Sequence, residues 1–217
     1  MAKYLFASHV LKLMILNPFV PIEPIRLEKS DKRIKRIAKR IDEIYKKSKH
    51  GLVILIGERG YGGTHMIHEF LGKKKHSYVI MNDNLAVEMP KSKIVVIDDF
   101  ENLLAMNESI KKAVVENIVN ASKKQFIITK IDEKKFSLLL KELPKLKSAK
   151  RIIIPSMSFE EAKEMIIQRL NLTRDKPSKS LKPFTEKELK HIWKKAKGNP
   201  RIILMICSII YNERVAR

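Results

Sequence analysis

Residues 52–64 constrain this chain more than any other stretch. Leu52–Ile56 is a continuous apolar run, the pattern of a strand buried on both faces of a parallel sheet. Gly57-Glu58-Arg59-Gly60-Tyr61-Gly62-Gly63-Thr64 follows at once, and residues 64–71 read as a helix start. Strand, glycine-rich turn and helix in that order form a phosphate cradle: glycines let backbone N–H groups turn inward at a helix N-terminus. The spacing is that of G-x-x-x-x-G-K-[ST], with Gly63 standing where the lysine belongs. Gly57, Gly60, Gly62 and Gly63 would shape the cradle, and the Thr64 hydroxyl would bind Mg²⁺. The lysine would neutralise the β and γ phosphates, so its loss weakens both binding and transfer chemistry.

The rest of the middle third fits the same architecture. Further strands are expected at residues 78–81, 94–97, 126–129 and 152–154, with helices over residues 107–121 and 133–140. Strands alternating with helices mean a parallel α/β sheet. Lys93-Ile94-Val95-Val96-Ile97-Asp98-Asp99 is an apolar strand ending in two acids, about 30 residues after the loop. Two carboxylates closing a buried strand are costly without a cation or other partner. Asp98 is the candidate Mg²⁺ ligand, and Asp99 the acid that would polarise an attacking water. Phe126-Ile127-Ile128-Thr129 ends in a polar residue that could meet that water or a γ-phosphate.

Past Pro155 the strands stop. A helix over residues 159–170 with Ser158 as its cap, a basic linker over 173–183, a helix from Thr185 with Glu188 as its capping partner, and a last helix over 201–215 make a small helical lid. Gly198-Asn199-Pro200 breaks the last two, which sets Arg201 at a helix start. Three segments are expected: residues 1–50, an arm and a basic amphipathic helix; 51–155, the α/β core; and 156–217, the lid. Tyr4–Val20 is apolar but lacks a signal-peptide cleavage site, so it reads as an arm that packs on the protein. Ser30 can cap a helix over 31–48. There Ile34, Ile37, Ile41 and Ile44 share one face, and Arg33, Arg36, Lys39, Arg40, Lys46 and Lys47 cover the rest.

Charge carries the functional hint. The 217 residues hold 45 Lys+Arg against 24 Asp+Glu, a net charge of +21. Residues 1–50 hold 13 cations against 5 acids and residues 51–150 hold 17 against 12, so the excess is weakest in the middle. Lys- and Ile-rich chains are common among thermophiles, but their acids keep pace with their lysines. Here they do not, which points to a polyanion partner, DNA before RNA. A single cysteine, Cys207, excludes a disulfide framework and fits a reducing, cytoplasmic setting. No run of 18 apolar residues exists to cross a membrane.

Phosphate loop, Asp-Asp strand, Thr-ended strand and Gly198-Asn199-Pro200-Arg201 helix, in this order, resemble the AAA+ ATPases. The set is most similar to archaeal origin-recognition initiators and transposition-associated ATPases. Asn17-Pro18-Phe19 and Ser156-Met157-Ser158-Phe159-Glu160-Glu161 fit the same branch. The resemblance covers about residues 17–215. It implies a three-layer P-loop sandwich with a five-stranded parallel sheet of order 5-1-4-3-2, and a helical lid. It implies Walker A at 57–64, Walker B at Asp98 and Asp99, sensor 1 at Thr129 and sensor 2 at Arg201. ATP or ADP with Mg²⁺ is the implied ligand, and an AAA+ oligomer or other proteins are the implied partners.

Five departures qualify it. Gly63 replaces the lysine, and Asp99 stands where glutamate is commoner. The span from Met81 to Lys93 is short for a parallel crossover, so its helix must shrink to a turn. Residues 143–151 offer only Arg151 as an arginine finger, and no winged helix follows the lid. Three functions stay open: a DNA-associated protein with a weak, scarcely hydrolysing nucleotide site; an active ATPase whose missing cation comes from elsewhere (His65, Arg59 and Lys73–Lys75 are candidates); and a pseudo-ATPase scaffold for DNA, RNA or ribosome.

Overall fold

The structure, a computed structural model, describes residues 17–19 and 32–215. Most of the apolar N-terminal stretch and the Ser30 cap lie outside the described residues. The chain divides into two compact units: Ile34–Pro155, and Ser156–Arg217 together with residues 17–19 and 32–33.

The first unit is a parallel sheet between two helical layers. Its strands are β1 (Gly51–Ile56), β2 (Ser77–Ile80), β3 (Ile94–Asp98), β4 (Phe126–Ile131) and β5 (Lys150–Ile153). Their order is β2-β3-β4-β1-β5, all parallel, the order the resemblance implies. The central strands are apolar throughout because both faces are covered. On one face Val53, Leu55, Val96, Phe126 and Ile128 pack against α1 (Lys32–Ser48) and α2 (Gly63–Leu71), through Ile37, Ile41, Met66, Ile67 and Phe70. On the other, Ile54, Ile56, Val95, Ile97 and Ile127 pack against α3 (Glu108–Ala121) and α4 (Glu133–Glu142), through Val114, Ile118, Phe136 and Leu139. The amphipathic basic helix α1 is thus one of the sheet's covering layers.

The crossover from β2 to β3 contains no α-helix, only a turn of 3₁₀-helix over Asp83–Ala86. Side chains satisfy what a helix would have bonded internally. Asn82 accepts from the N–H of Asn84 at 3.0 Å, Asn117 on α3 donates to the Leu85 carbonyl at 2.8 Å, and Gln125 donates to the carbonyls of Pro90 (2.5 Å) and Ser92 (2.7 Å). Buried Leu85 anchors the turn in the core.

The second unit holds α5 (Phe159–Asn171), α6 (Glu186–Lys195) and α7 (Pro200–Val215). Both expected N-caps form as capping boxes, Ser158 with Glu161 and Thr185 with Glu188. Phe19 is wholly buried here, edge-on to Phe184 and Tyr211 with centroids 5.3 and 5.4 Å away. Asn17 holds that segment by donating to the Ser208 carbonyl (3.1 Å), the Ser208 hydroxyl (2.9 Å) and Asn212 (2.7 Å). The Gly198 turn is fastened to the start of the unit: Met157 N–H donates to the Gly198 carbonyl at 2.9 Å, and the Trp193 indole N–H to the Met157 carbonyl at 2.8 Å.

Two expectations are corrected. Arg33 is expected among the outward-facing cations of α1, but it is 1% exposed. It lies four residues before Ile37, which puts it on the edge of the apolar stripe. Thr129 does not end its strand. β4 runs two residues further, through Lys130 to Ile131, because parallel pairing with β1 continues to Ile56.

Candidate functional site

The glycine loop joins β1 to α2. Gly60 and Gly62 take φ of +98° and +89°, the left-handed region that glycine enters without penalty. No side chain caps α2 at Gly62, so its first-turn amides depend on something other than a cap. Gly57 and Gly63 are small for a different reason, which is close approach. A Cβ on Gly57 would stand 2.8 Å from the Ile154 Cβ, and one on Gly63 would stand 3.2 Å from both the Ile154 Cδ1 and the Lys130 Cδ. Ile154 is held there by its N–H bond to the Ile56 carbonyl at 2.7 Å. Thr64 is the second residue of α2 and is partly buried.

Strand alternation decides what can meet this loop. Residues 94, 96 and 98 of β3 and 126, 128 and 130 of β4 share the face covered by α1 and α2. Ile97 lies opposite Thr129, so Asp98 and Lys130 are the next pair at the carboxyl ends of adjacent strands. There the Lys130 ammonium donates to Asp98 Oδ1. The Asp99 backbone N–H donates to the same oxygen at 2.9 Å, and the Tyr78 hydroxyl from β2 donates to Oδ2. Burial opposes ionisation of Asp98, but the Lys130, Tyr78 and Asp99 donors outweigh it and hold the carboxyl below its usual value. The Lys130 and Asp98 side chains stay 27% and 20% exposed, so the pair is not sealed from solvent.

The other expected site residues are placed as follows. Asp99 is exposed and adopts φ of +49°, a left-handed conformation uncommon outside glycine. It leads into a 3₁₀ turn over Phe100–Ala105. Thr129 faces the opposite side of the sheet, is 0% exposed, and donates its hydroxyl to the Ile97 carbonyl at 2.6 Å. Its role in this arrangement is to tie β4 to β3. Arg201 belongs to the helical unit, where it is exposed at the start of α7 and its N–H donates to Asn199 Oδ1 at 3.1 Å. Arg151 lies on the edge strand, its guanidinium over the Phe136 ring at 5.6 Å. Lys74, one of the suggested substitute cations, is engaged at the far end of α2 with Asp42 and the Phe70 carbonyl.

Lys130 is the site residue that the motifs do not reveal. A signal for it is present in the sequence: a lysine inside an otherwise buried strand, Phe126–Ile131, demands a partner. Only the strand register shows that the partner is Asp98.

No family model matches the chain, and no curated protein matches it by sequence. Solved structures do match this framework. A Walker-type ATPase of Pyrococcus abyssi superposes with a TM-score of 0.60 at 12% identity, over 92% of this chain and 72% of that one. The chain has the AAA+ fold. A chain of the Drosophila ORC bound to DNA matches at a TM-score of 0.58 and 12% identity, over 94% of this chain. This chain spans about three-fifths (61%) of that one. Domain III of the Thermotoga maritima replication initiation protein DnaA matches at 0.54 and 14% identity, over 84% of this chain and 85% of the domain. On that fold, this chain carries Gly63 as the first residue of α2, with the stem of Lys130, ion-paired to Asp98, beside it.

Proposed function

We propose that this chain is a nucleic-acid-associated AAA+ protein whose degenerate nucleotide site binds ATP or ADP weakly and hydrolyses it little or not at all. Its role would be accessory or regulatory, in DNA replication, repair or mobile-element biology. The observation that carries the reading is the pairing of a glycine-rich phosphate cradle with an Asp98 already neutralised by Lys130. Gly57, Gly60, Gly62, Gly63 and Thr64 would hold the phosphates through backbone and hydroxyl groups. Asp99 would orient a water, and Arg201 would be a sensor from the lid. Thr129 is left out of this set because it is fully buried and its hydroxyl is spent on Ile97.

A divalent cation fits this site poorly. An ionised carboxylate offers about four acceptor positions, and three on Asp98 accept from Lys130, Asp99 and Tyr78. An ammonium on the same carboxylate would also repel the ion.

The polyanion surface we favour is the outer side of α1. Arg36, Lys39, Arg40, Lys46 and Lys47 are exposed there. A shallow groove between α1 and the edge strand is lined by Arg40, Lys47, Lys150 and Arg151, with Glu43 the one acid. The match to a chain solved on DNA supports DNA over RNA as the first partner to test.

The test is duplex-DNA affinity across a salt series, with and without ATP. Three results would support the reading: steep salt dependence, tighter binding with nucleotide, and a salt slope that falls by about one in each of Arg36→Ala, Arg40→Ala and Lys47→Ala, the change expected when one phosphate-binding cation is removed. Salt-dependent binding indifferent to ATP would favour a scaffold without nucleotide, and no DNA binding at low salt would overturn the DNA assignment.

A further inference from the structure

The Lys130 side chain starts on β4, the strand beside the one that leads into the loop. It passes Gly63 and ends on Asp98. A side chain at position 63 would leave the backbone where the Lys130 stem now lies, since a Cβ there comes within 3.2 Å of Lys130 Cδ and 3.6 Å of its Cβ. A Cβ at 63 therefore fits beside the present course of Lys130 only if the Lys130 stem and Ile154 give by a few tenths of an ångström. Glycine at 63 leaves the Lys130 stem its path without such a shift, which relates the glycine in the loop to the lysine on the strand.

The ammonium then stands on the carboxylate that the sequence offers as a candidate Mg²⁺ ligand. It has three N–H donors, and Asp98 Oδ1 takes one. The side chain is partly exposed, so the remaining donors can reach a ligand oxygen without the ion pair breaking. Tyr78 and the Asp99 N–H fix the carboxylate from its other sides, which holds the ammonium at the loop instead of letting it wander.

We propose that Lys130 is the resident cation of the glycine loop, standing in for both the loop lysine and the divalent ion, so that the site takes the phosphates of a nucleoside di- or triphosphate without metal. This rests on the reading above that the loop binds nucleotide, and it adds which group neutralises the phosphates. Lys130 would be a binding residue; no hydrolytic step is assigned to it.

The experiment titrates the full chain with ATP and with ADP by calorimetry, in EDTA and in Mg²⁺, for the wild type, Lys130→Met and Lys130→Ala/Gly63→Lys. Mn²⁺ alone is titrated in parallel and followed by electron paramagnetic resonance. Lys130→Met keeps the apolar stem, and thermal unfolding checks that each variant folds. The expected result is wild-type affinity equal in EDTA and Mg²⁺, with no Mn²⁺ uptake. Lys130→Met should lose affinity in EDTA by about tenfold or more, the scale of one charge-assisted hydrogen bond, and should take up Mn²⁺ at the freed Asp98. The double variant should recover affinity in Mg²⁺. Wild-type binding that collapses in EDTA, or that Lys130→Met leaves unchanged, would overturn the proposal and leave the nucleotide loop intact. Binding seen only after Lys130→Met would make Lys130 a plug, which also overturns it. Absence of nucleotide binding in every variant would overturn the nucleotide reading and this proposal together.

Discussion

Gly63 and Lys130 share one space: a Cβ on the glycine would stand 3.2 Å from the lysine's Cδ. The relationship packs the stem of a strand lysine against the first residue of α2. It also ranks the loop's tolerance to substitution, because the neighbours of each glycine differ in how far they can give.

Gly57→Ala and Gly63→Ala should therefore differ in stability. At 57 the new methyl meets the Ile154 Cβ at 2.8 Å and its carbonyl oxygen at 3.3 Å, atoms fixed by the strand-end hydrogen bond. Overpacking of this kind costs about 2 kcal/mol. At 63 the neighbours are the movable Ile154 Cδ1 and the Lys130 stem, and the cost should stay under about 1 kcal/mol. Urea midpoints of the two variants measure the difference. Equal destabilisation would mean that Ile154 does not press on the loop as described.

Much of this architecture is legible along the chain. The buried strand, the glycine turn and the Asp-Asp strand end announce the α/β unit, and Ser158 with Glu161 and Thr185 with Glu188 announce two helix starts. These signals are local: each is a spacing of a few residues. The Lys130–Asp98 pair is not legible, because 32 residues and a parallel register separate its members. Thr129 misleads for a related reason. Its polarity looks like a strand end, but its hydroxyl is satisfied inside the sheet, so polarity does not mark exposure. Arg33 misleads because a helical wheel gives the edge of an apolar stripe to either side.

The turn before α7 should not accept a side chain. Gly198 has φ of +68°, and a Cβ there would meet the Met157 carbonyl oxygen at 2.5 Å and the Ser156 Cβ at 3.1 Å. Left-handed strain and backbone overlap together should cost Gly198→Ala about 3 kcal/mol. Differential scanning calorimetry should show a lower melting temperature, and a cost under about 1 kcal/mol would contradict the packing.

Glu188 gives the helical unit an acid limb. It accepts from Arg214 at 2.5 Å and caps Thr185, and the Arg214 guanidinium with the Thr185 N–H and hydroxyl lowers its carboxyl to about 2 from an ordinary 4.5. A depressed carboxyl stabilises the fold above its unfolded value and loses that contribution as pH falls from 4.5 towards 2. Glu188→Gln keeps a capping side chain but not the charge. Wild type should be the more stable at neutral pH, with the gap closing across that window. A pH-independent gap would show that the ion pair contributes nothing, as many exposed pairs do.

Cys207 should be inert in the folded chain. It is fully buried in the helical core, and burial pushes its thiol up to about 12. A thiol reagent at neutral pH should react only at the rate at which that unit opens, and at full speed in denaturant. Immediate reaction would contradict the packing of α7.

The most direct measurement is a crystal structure of the chain grown with ATP and Mg²⁺ together. The expected result is phosphate density in the loop at Gly60–Thr64, the Lys130 ammonium bonded to a phosphate oxygen while still on Asp98, and no metal at that carboxylate. A metal ion bound to Asp98 with Lys130 swung away, or an empty loop beside an intact Lys130–Asp98 pair, would contradict it.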